Sequence, residues 1–246
     1  MNKLKAVILA AGKGTRMNSD LPKVVHKCLN QPMVHYVIKA AEDAGALDVC
    51  VIVGYKAKQV KDSIYDVVDY VEQTEQLGTG HAVKCARDFI GNDGDTLVLC
   101  GDTPLITGET LAALVDMHRK QANGVTVLSA IMEDATGYGR IIRDANGDFV
   151  KIVEHKDATE EERQVKEINS GMYVFNSEAL TASLELLSND NAAGEYYLTD
   201  TIALIKKIGL KVSAMPLSGS AVNEIRGVNT MEQLAEAEEI MRGYKQ

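Results

Sequence analysis

Short, almost uninterrupted apolar runs that end close to a glycine most restrict the fold of this chain. The clearest runs are residues 6–10, 48–53 and 96–100, and a shorter one covers residues 67–71. Strands buried on both faces of a parallel sheet have this composition. An amphipathic segment between two of the runs, residues 32–44, is typical of a crossover helix. The pattern predicts an α/β fold with a Rossmann-like, mixed, mostly parallel sheet and helices on both faces.

The turn after the first run combines glycines with positive charge. Gly12 and Gly14 would let backbone N–H groups approach an anion closely. The cations of this stretch are Lys13, Arg16 and Lys23. The spacing matches neither the P-loop nor the dinucleotide fingerprint, which needs a third glycine. A plain strand-to-helix turn explains one glycine but not two with three cations, so the turn predicts a phosphate-binding site.

Two later stretches favour a ligand site but also have simpler explanations. Asp102 follows the run 96–100 at the sheet edge where ligands bind in open α/β folds. It can be a Mg²⁺ ligand or the cap of the following turn. In residues 73–82, Thr79 can cap a helix that begins near His81. A routine helix entry explains that stretch equally well, so both alternatives stay open on these residues alone.

The second half of the chain has antiparallel signals. Residues 137–143 and 149–153 flank Asn146-Gly147, a strong hairpin turn. A charged segment, residues 158–166, is typical of a solvated surface helix, and a strand over residues 172–175 follows it. We therefore expect an antiparallel lobe built onto the parallel core.

The final amphipathic helix begins after Asn229. Glu232, three residues later, completes an N-cap pattern, which explains Asn229 sufficiently and competes with any metal-binding role. No internal repeat or low-complexity linker divides the chain. We expect one domain, residues 1–228, with a C-terminal helical tail, residues 229–246.

The composition argues against several classes of protein. Lys and Arg number 26 and Asp and Glu 35, so the net charge is −9. Neither nucleic acid nor an anionic membrane is expected as a partner, because both require a basic face. The four cysteines form no Cys-x-x-Cys pair, which suits a reducing cytoplasm rather than disulfides or zinc. The first apolar stretch is too short for a signal peptide, and no run could span a membrane, so we expect a cytoplasmic protein.

Several motifs, in order along the chain, resemble those of the sugar-1-phosphate nucleotidyltransferases. They are Leu-Ala-Ala-Gly-x-Gly-Thr-Arg-Met (9–17) with Pro22-Lys23, Glu-Gln-Leu-Gly-Thr-Gly-His-Ala (75–82), Gly101-Asp102, Thr-Gly-Tyr-Gly-Arg-Ile (136–141), Val-Glu-His-Lys-Asp-Ala-Thr (153–159), Glu-Ile-Asn-Ser-Gly (167–171), Gly-Glu-Tyr-Tyr-Leu-Thr-Asp (194–200) and Gly-Val-Asn (227–229). The first motif marks the wide superfamily. The Glu-His-Lys-Asp-Ala-Thr and Gly-Glu-Tyr-Tyr stretches resemble the N-acetylglucosamine-1-phosphate uridyltransferase branch. The resemblance implies a nucleotide-diphospho-sugar transferase fold whose antiparallel lobe binds the sugar.

The same resemblance implies a role for each matching position. Catalysis would depend on Arg16, Lys23 and Asp102, and Mg²⁺ would be bound by Asp102 and Asn229. The nucleotide would contact Leu9, Ala10, Ala11, Gly12, Gly14, Gln73, Gly78, Thr79 and Gly101, with Gln73 at the uracil edge. The sugar would contact Gly139, Glu154, Asn169, Tyr197 and Thr199. Cys100 stands where the family usually has Tyr, and we expect all five histidines to be structural or peripheral.

The implied reaction joins UTP and N-acetylglucosamine-1-phosphate to give UDP-N-acetylglucosamine, a cell-envelope (peptidoglycan) precursor, and pyrophosphate. The attacking phosphate oxygen is already ionised, so no base or covalent residue is required. The alternatives are a transferase for glucose-1-phosphate or dTTP and a non-catalytic nucleotide-sugar sensor. Bifunctional family members continue into a β-helix of hexapeptide repeats that does not occur here. We therefore expect neither acetyl transfer nor a particular oligomeric state to carry over.

Overall fold

The computed structural model describes residues 3–244, which form a large sheet with helices on both faces. The strands are β1 Leu4–Ala10, β2 Lys27–Cys28, β3 Gln31–Pro32, β4 Asp48–Val53, β5 Asp69–Glu72, β6 Asp95–Cys100, β7 Asn123–Ile131, β8 Arg140–Arg143, β9 Phe149–Val153, β10 Glu167–Asn176 and β11 Lys211–Leu217. The helices are α1 Met33–Asp43, α2 Ala57–Ser63, α3 Thr79–Cys85, α4 Arg87–Ile90, α5 Gly108–Lys120, α6 Glu160–Arg163, α7 Ser177–Leu184, α8 Asp200–Lys207 and α9 Met231–Tyr244. Within these described residues, every helix is too short or too polar to cross a membrane.

The large sheet has the strand order β11-β7-β10-β6-β1-β4-β5. Strands β6, β1, β4 and β5 run parallel to one another, and β11 runs parallel to β7. Strand β10 is antiparallel to both of its neighbours, β6 and β7. The hairpin of β8 and β9 attaches to β10. The predicted fold, mixed and mostly parallel with an antiparallel lobe, is confirmed.

Alternation along the strands produces two cores, one on each face of the sheet. In β1, Ala6 and Ile8 belong to one core and Val7 to the other, and all three are fully buried. Helices α1 and α5 cover the first face, and α3, α7 and α8 cover the second. Each large apolar side chain buried in this way stabilises the fold by about 1.5–3 kcal/mol.

Two local predictions differ from the structure for tertiary reasons. The strand expected over residues 67–71 is β5, Asp69–Glu72, because pairing with β4 opposes Asp69 to Cys50. The interpretation of Thr79 as the cap of a helix that begins near His81, one of two left open by the sequence, is wrong. Helix α3 begins at Thr79 itself, and the Thr79 hydroxyl accepts a hydrogen bond from the Leu198 N–H (3.2 Å). That contact lies 119 residues away in the chain and has no local sequence signal.

The predicted hairpin is confirmed. Strands β8 and β9 pair antiparallel around the Asn146-Gly147 turn, where Gly147 has a φ of 84°. The charged segment after it contains only one helical turn, α6, with a capping box from Thr159. The predicted strand over residues 172–175 is the C-terminal part of β10.

Helix α9 packs against the first loops of the chain. Its apolar residues Leu234, Ala237 and Met241 share a buried cluster with Met17 and Cys28. The Asn229 N-cap prediction is wrong, because Thr230 accepts the Gln233 N–H (3.2 Å). The Asn229 side chain is therefore available for another role. The division at residues 228 and 229 stays a prediction, and residues 1–2 and 245–246 lie outside the described part of the chain.

Candidate active site

A cleft opens at the carboxyl ends of β1 and β6. Leu9 of β1 is in register with Cys100 of β6, so the glycine-rich turn after β1 lies beside Asp102. Strand β4 pairs with the other edge of β1. The strand order therefore changes direction here, which is where open α/β sheets bind ligands.

The antiparallel direction of β10 brings a third group of residues to this edge. Tyr173 is in register with Val98, so residues 169–171 lie near the carboxyl end of β6. The Cys100 thiol donates a hydrogen bond to the Gly171 carbonyl (3.4 Å). A register shift between Asn169 and Met172 bends the strand at this point. Asn169 and Asp102 consequently border one cleft although their strands run in opposite directions.

Gly14 positions Lys23 by close packing. Gly14 has a φ of 65°, and a Cβ atom there would lie 2.5 Å from the Lys23 Cβ. Only glycine meets both requirements without strain. Met17, in the following 3₁₀ turn, is buried and anchors the loop to the α9 cluster. The turn thus holds the Lys23 stem against the sheet.

Lys23 lies between two predicted metal ligands. Its ammonium donates hydrogen bonds to Asp102 Oδ2 and to Asn229 Oδ1, the latter at 2.8 Å. Arg16 also donates to Asn229 Oδ1 (2.9 Å). The Val228 N–H donates to the Asp102 carbonyl (2.8 Å), which holds the two segments together. All four predicted catalytic and metal-binding side chains therefore meet at one point.

The same cluster fits a divalent cation. Asp102 Oδ2 and Asn229 Oδ1 both accept from one ammonium, so both oxygens can contact a single positive centre. Hard oxygen ligands of this kind suit Mg²⁺, which keeps most of its octahedral shell for phosphates and water. Residues 3–244 contain no group of three or more His, Cys, Asp or Glu side chains placed to hold a metal. A site here would thus depend on substrate oxygens for much of its coordination.

A cavity of about 350 Å³ extends from this cluster toward β5. It is lined by Leu9, Ala10, Ala11, Gly12, Lys23, Val24, Gln73, Gln76, Gly78, Thr79, Ala82, Cys100, Asp102 and Glu195. Seven of the nine predicted nucleotide-binding residues are in this lining. The other two lie behind it: Gly14 packs on the Lys23 stem, and Gly101 donates its N–H to the Leu9 carbonyl (3.0 Å).

Gln73 and Gly78 form the far end of this cavity. Gln73 directly follows β5, and its N–H donates to the Val53 carbonyl (2.8 Å) at the end of β4. Gly78 has a φ of 109°, and a Cβ there would lie 2.6 Å from the Tyr196 carbonyl oxygen. The backbone of residue 78 can approach both the cavity and Tyr196 only because it has no side chain.

A second cavity, of about 200 Å³, lies on the β10 side. Its lining includes four of the five predicted sugar-binding residues: Gly139, Glu154, Asn169 and Thr199. Tyr197 is not in the lining; burial and the nearby Asp157 carboxylate raise the pKa of its phenol. A connecting cavity of about 280 Å³, lined by Arg16, Asp102 and Asn229 among others, joins the two regions through shared residues such as Cys100.

Glu154 is the main charged group of the second cavity. Burial raises the pKa of its carboxyl group, and a hydrogen bond from the Thr199 hydroxyl (3.0 Å) partly opposes this effect. The nearby carboxylates Asp157, Asp200 and Glu195 raise it further. The site therefore combines a cationic end with a hydrogen-bonding, electronegative end.

The lining residues that sequence reasoning missed include Tyr173, Tyr138 and Cys100. The Tyr173 hydroxyl accepts from Asn169 Nδ2 (2.8 Å), and Asn169 Oδ1 accepts the Gly171 N–H (3.1 Å), so this asparagine is held at both ends of its amide. Tyr138 borders both the second and the connecting cavity. Cys100 borders all three, and burial raises the pKa of its thiol to about 12, which keeps it neutral. The available signal was their position: Tyr138 lies in a glycine-containing motif, and Cys100 and Tyr173 lie within two residues of others.

Comparisons with known proteins agree with this geometry. The family model described as nucleotidyl transferase matches residues 5–221. The relative from Caldanaerobacter subterraneus subsp. tengcongensis, named bifunctional protein GlmU, is 52% identical over 242 residues, covering 98% of this chain and 52% of its own length. Relatives of the same name from Clostridioides difficile (50% identical) and Bacillus licheniformis (51% identical) cover 97% and 98% of this chain, and 51% and 53% of their own lengths.

The chain spans about half the length of the curated relatives it matches. A solved structure from Bacillus anthracis, which bears the name glucose-1-phosphate thymidylyltransferase and contains sucrose, has the same fold. Its TM-score is 0.78 at 22% identity, over 97% of this chain and 95% of that chain. With the family model covering most of its length, the chain belongs to the nucleotidyl transferase family and is similar over nearly all its residues to proteins named GlmU.

Proposed function

We propose that this chain transfers UMP from UTP to N-acetylglucosamine-1-phosphate, with Mg²⁺ as cofactor, and forms UDP-N-acetylglucosamine and pyrophosphate. The proposal is supported chiefly by the meeting of Arg16, Lys23, Asp102 and Asn229 between two cavities. One cavity has the residues that the resemblance assigns to a nucleotide, and the other has those assigned to a sugar. A reaction that joins a nucleotide to a sugar phosphate requires such an arrangement.

The chemistry requires positioning and charge neutralisation more than proton transfer. An ionised phosphate oxygen of the sugar phosphate attacks the α-phosphorus of UTP, the bond to the β-phosphate oxygen breaks, and pyrophosphate leaves. Lys23 and Arg16 would stabilise negative charge on the reacting phosphates. Bound Mg²⁺, held by Asp102 and Asn229, would neutralise phosphate charge and orient the phosphates.

On the sugar side, Glu154 and Asn169 would supply hydrogen bonds. Glu154 is held by Thr199, and Asn169 is held by Tyr173 and Gly171. Polar groups fixed in this way discriminate strongly between sugar phosphates, because an analogue that leaves them unpaired loses binding free energy. The direct contact of Tyr197 with the sugar stays a prediction.

Pyrophosphate release by the purified chain with UTP, Mg²⁺ and N-acetylglucosamine-1-phosphate tests the proposal. We expect release that depends on all three components and falls at least tenfold with glucose-1-phosphate. Faster turnover with glucose-1-phosphate or with dTTP would replace the proposal with the related transferase activity. Tight UTP binding without turnover on any sugar phosphate would instead identify a nucleotide-sugar sensor. We propose further that the chain acts in the cytoplasm and supplies a cell-envelope precursor.

A further inference from the structure

His81 contacts Gln73, although the proposed chemistry gives His81 no role. The side chain of Gln73 is almost fully buried, with 3% of the residue exposed. Its amide nitrogen lies 3.1 Å from the Gly78 carbonyl oxygen and 3.1 Å from His81 Nδ1. His81 lies on helix α3, which begins immediately after Gly78. The glutamine amide is therefore held between a loop carbonyl and a histidine ring.

The chemistry of these partners determines both orientations. A carbonyl oxygen can only accept a hydrogen bond, so the amide atom that faces Gly78 must be the NH₂ group. Its second hydrogen points to His81 Nδ1, which must then be the unprotonated nitrogen of a neutral ring. The proton of the ring lies on Nε2, 3.9 Å from the Cys85 sulfur one turn along the same helix. Burial raises the pKa of the Cys85 thiol, so the sulfur is a neutral acceptor.

This arrangement leaves an acceptor for the ligand. Both hydrogens of the Gln73 amide are used within the protein, and Gln73 lines the nucleotide cavity. No donor among the described residues reaches its Oε1 atom. An amide oxygen at this place pairs with a base that has a ring N–H. Uracil and thymine have such a group at N3, whereas cytosine has a lone pair there and would repel the oxygen.

We propose that His81 is a positioning residue that selects the nucleobase. By accepting from the Gln73 amide, it keeps Oε1 directed to the base and favours a pyrimidine with a ring N–H over cytosine. A reversed amide would place Oε1 against two lone pairs, those of Gly78 and His81. Loss of His81 removes one of these two repulsive contacts and one hydrogen bond. The inference deepens the proposed function and rests on its assignment of this cavity to the nucleotide.

The test compares UTP and CTP with the full-length chain and its variants. His81→Leu removes the acceptor, whereas His81→Asn retains an amide oxygen near the position of Nδ1. We expect His81→Leu to lower the ratio of UTP to CTP affinity about tenfold, as loss of one hydrogen bond would. His81→Asn should retain most of the ratio. His35→Leu is the matched control, because His35 contacts Asp66 (2.9 Å) and does not line the cavity.

Kinetics and NMR give further readouts. The His81→Leu change should act on KM for UTP more than on kcat, because base binding is equal in ground and transition states. In the unsubstituted chain, ¹⁵N NMR should find the His81 proton on Nε2, which requires no variant to fold. A proton on Nδ1, an unchanged ratio in His81→Leu, or an equal loss in His81→Asn would overturn the inference. Base-selective binding without turnover would overturn only the proposed function.

Discussion

Replacing Lys23 with methionine removes one ammonium group and keeps the aliphatic stem that packs against Gly14. The ammonium donates to Asp102 and Asn229, and the side chains of Lys23 and Asp102 are only 16% and 20% exposed. Lys23 thus occupies the place where both oxygens would contact a cation. Its removal should have two effects of opposite sign.

The first effect is on turnover. A donor directed at the charge that develops on transferring phosphates contributes about 2–4 kcal/mol. Lys23→Met should therefore lower kcat/KM about 30- to 1000-fold. The assay is pyrophosphate release at saturating Mg²⁺.

The second effect is on metal binding by the nucleotide-free chain. Two unit charges about 4 Å apart interact by about 4 kcal/mol at an effective dielectric constant of about 20. Partial exposure reduces this value, so we expect the Lys23 ammonium to weaken metal binding by about 1–2 kcal/mol. Lys23→Met should then bind Mn²⁺ about five- to thirtyfold more tightly, measured by the electron paramagnetic resonance signal of free Mn²⁺.

Lys27→Met serves as the matched control, because Lys27 is exposed and the charge change is the same. It should change neither kcat/KM nor the affinity for Mn²⁺ by more than about twofold, since exposed charges contribute little. Slower turnover without tighter Mn²⁺ binding would refute the inference that the Lys23 ammonium and the metal ion compete for the same oxygens. Normal turnover would refute the placement of Lys23 on the phosphates.

Three other substitutions test separate parts of the site. Asp102→Ala should lower turnover at least about 100-fold with the fold retained by circular dichroism, and near-normal activity at high Mg²⁺ would contradict the metal assignment. Burial raises the pKa of Glu154 above its ordinary 4.5, so the folded chain binds this proton more readily than the unfolded chain. Above the folded pKa the carboxyl group is ionised, and its burial then lowers the stability of the fold. Glu154→Gln should therefore raise Tm at neutral pH, with a difference that shrinks to nothing as the pH falls below about 4.5; a difference independent of pH would contradict this cause. Gly14→Ala should lower the free energy of unfolding in urea by about 1–3 kcal/mol, because Gly14 has a φ of 65° and the added Cβ would lie 2.5 Å from the Lys23 Cβ. Gly12→Ala is the control and should leave unfolding unchanged, because no atom lies within 4 Å of its added Cβ.

Local composition was sufficient for the strands that build the parallel core. Strands β1, β4 and β6 each contain a continuous apolar run, and burial on both faces leaves few other structures for such runs. The hairpin at Asn146-Gly147 was also predictable, because its turn geometry requires residues that accept a positive φ. Helix caps were less predictable. Thr79 and Asn229 are good cap residues, yet Thr79 contacts Leu198 and Asn229 contacts Lys23 instead.

The element types, the glycine-rich turn and, through the motifs, the family can be predicted from the amino-acid sequence. They depend on side-chain periodicity and on backbone freedom, which act over a few residues. Which side chains meet depends instead on how the chain folds in three dimensions. The antiparallel register of β10 brings Asn169 to the same edge as Asp102, and Lys23 reaches Asn229 across 206 residues of sequence. The His81–Gln73 contact likewise depends on how α3 leaves Gly78 beside β5, because hydrogen bonds between side chains follow distance in space rather than distance along the chain.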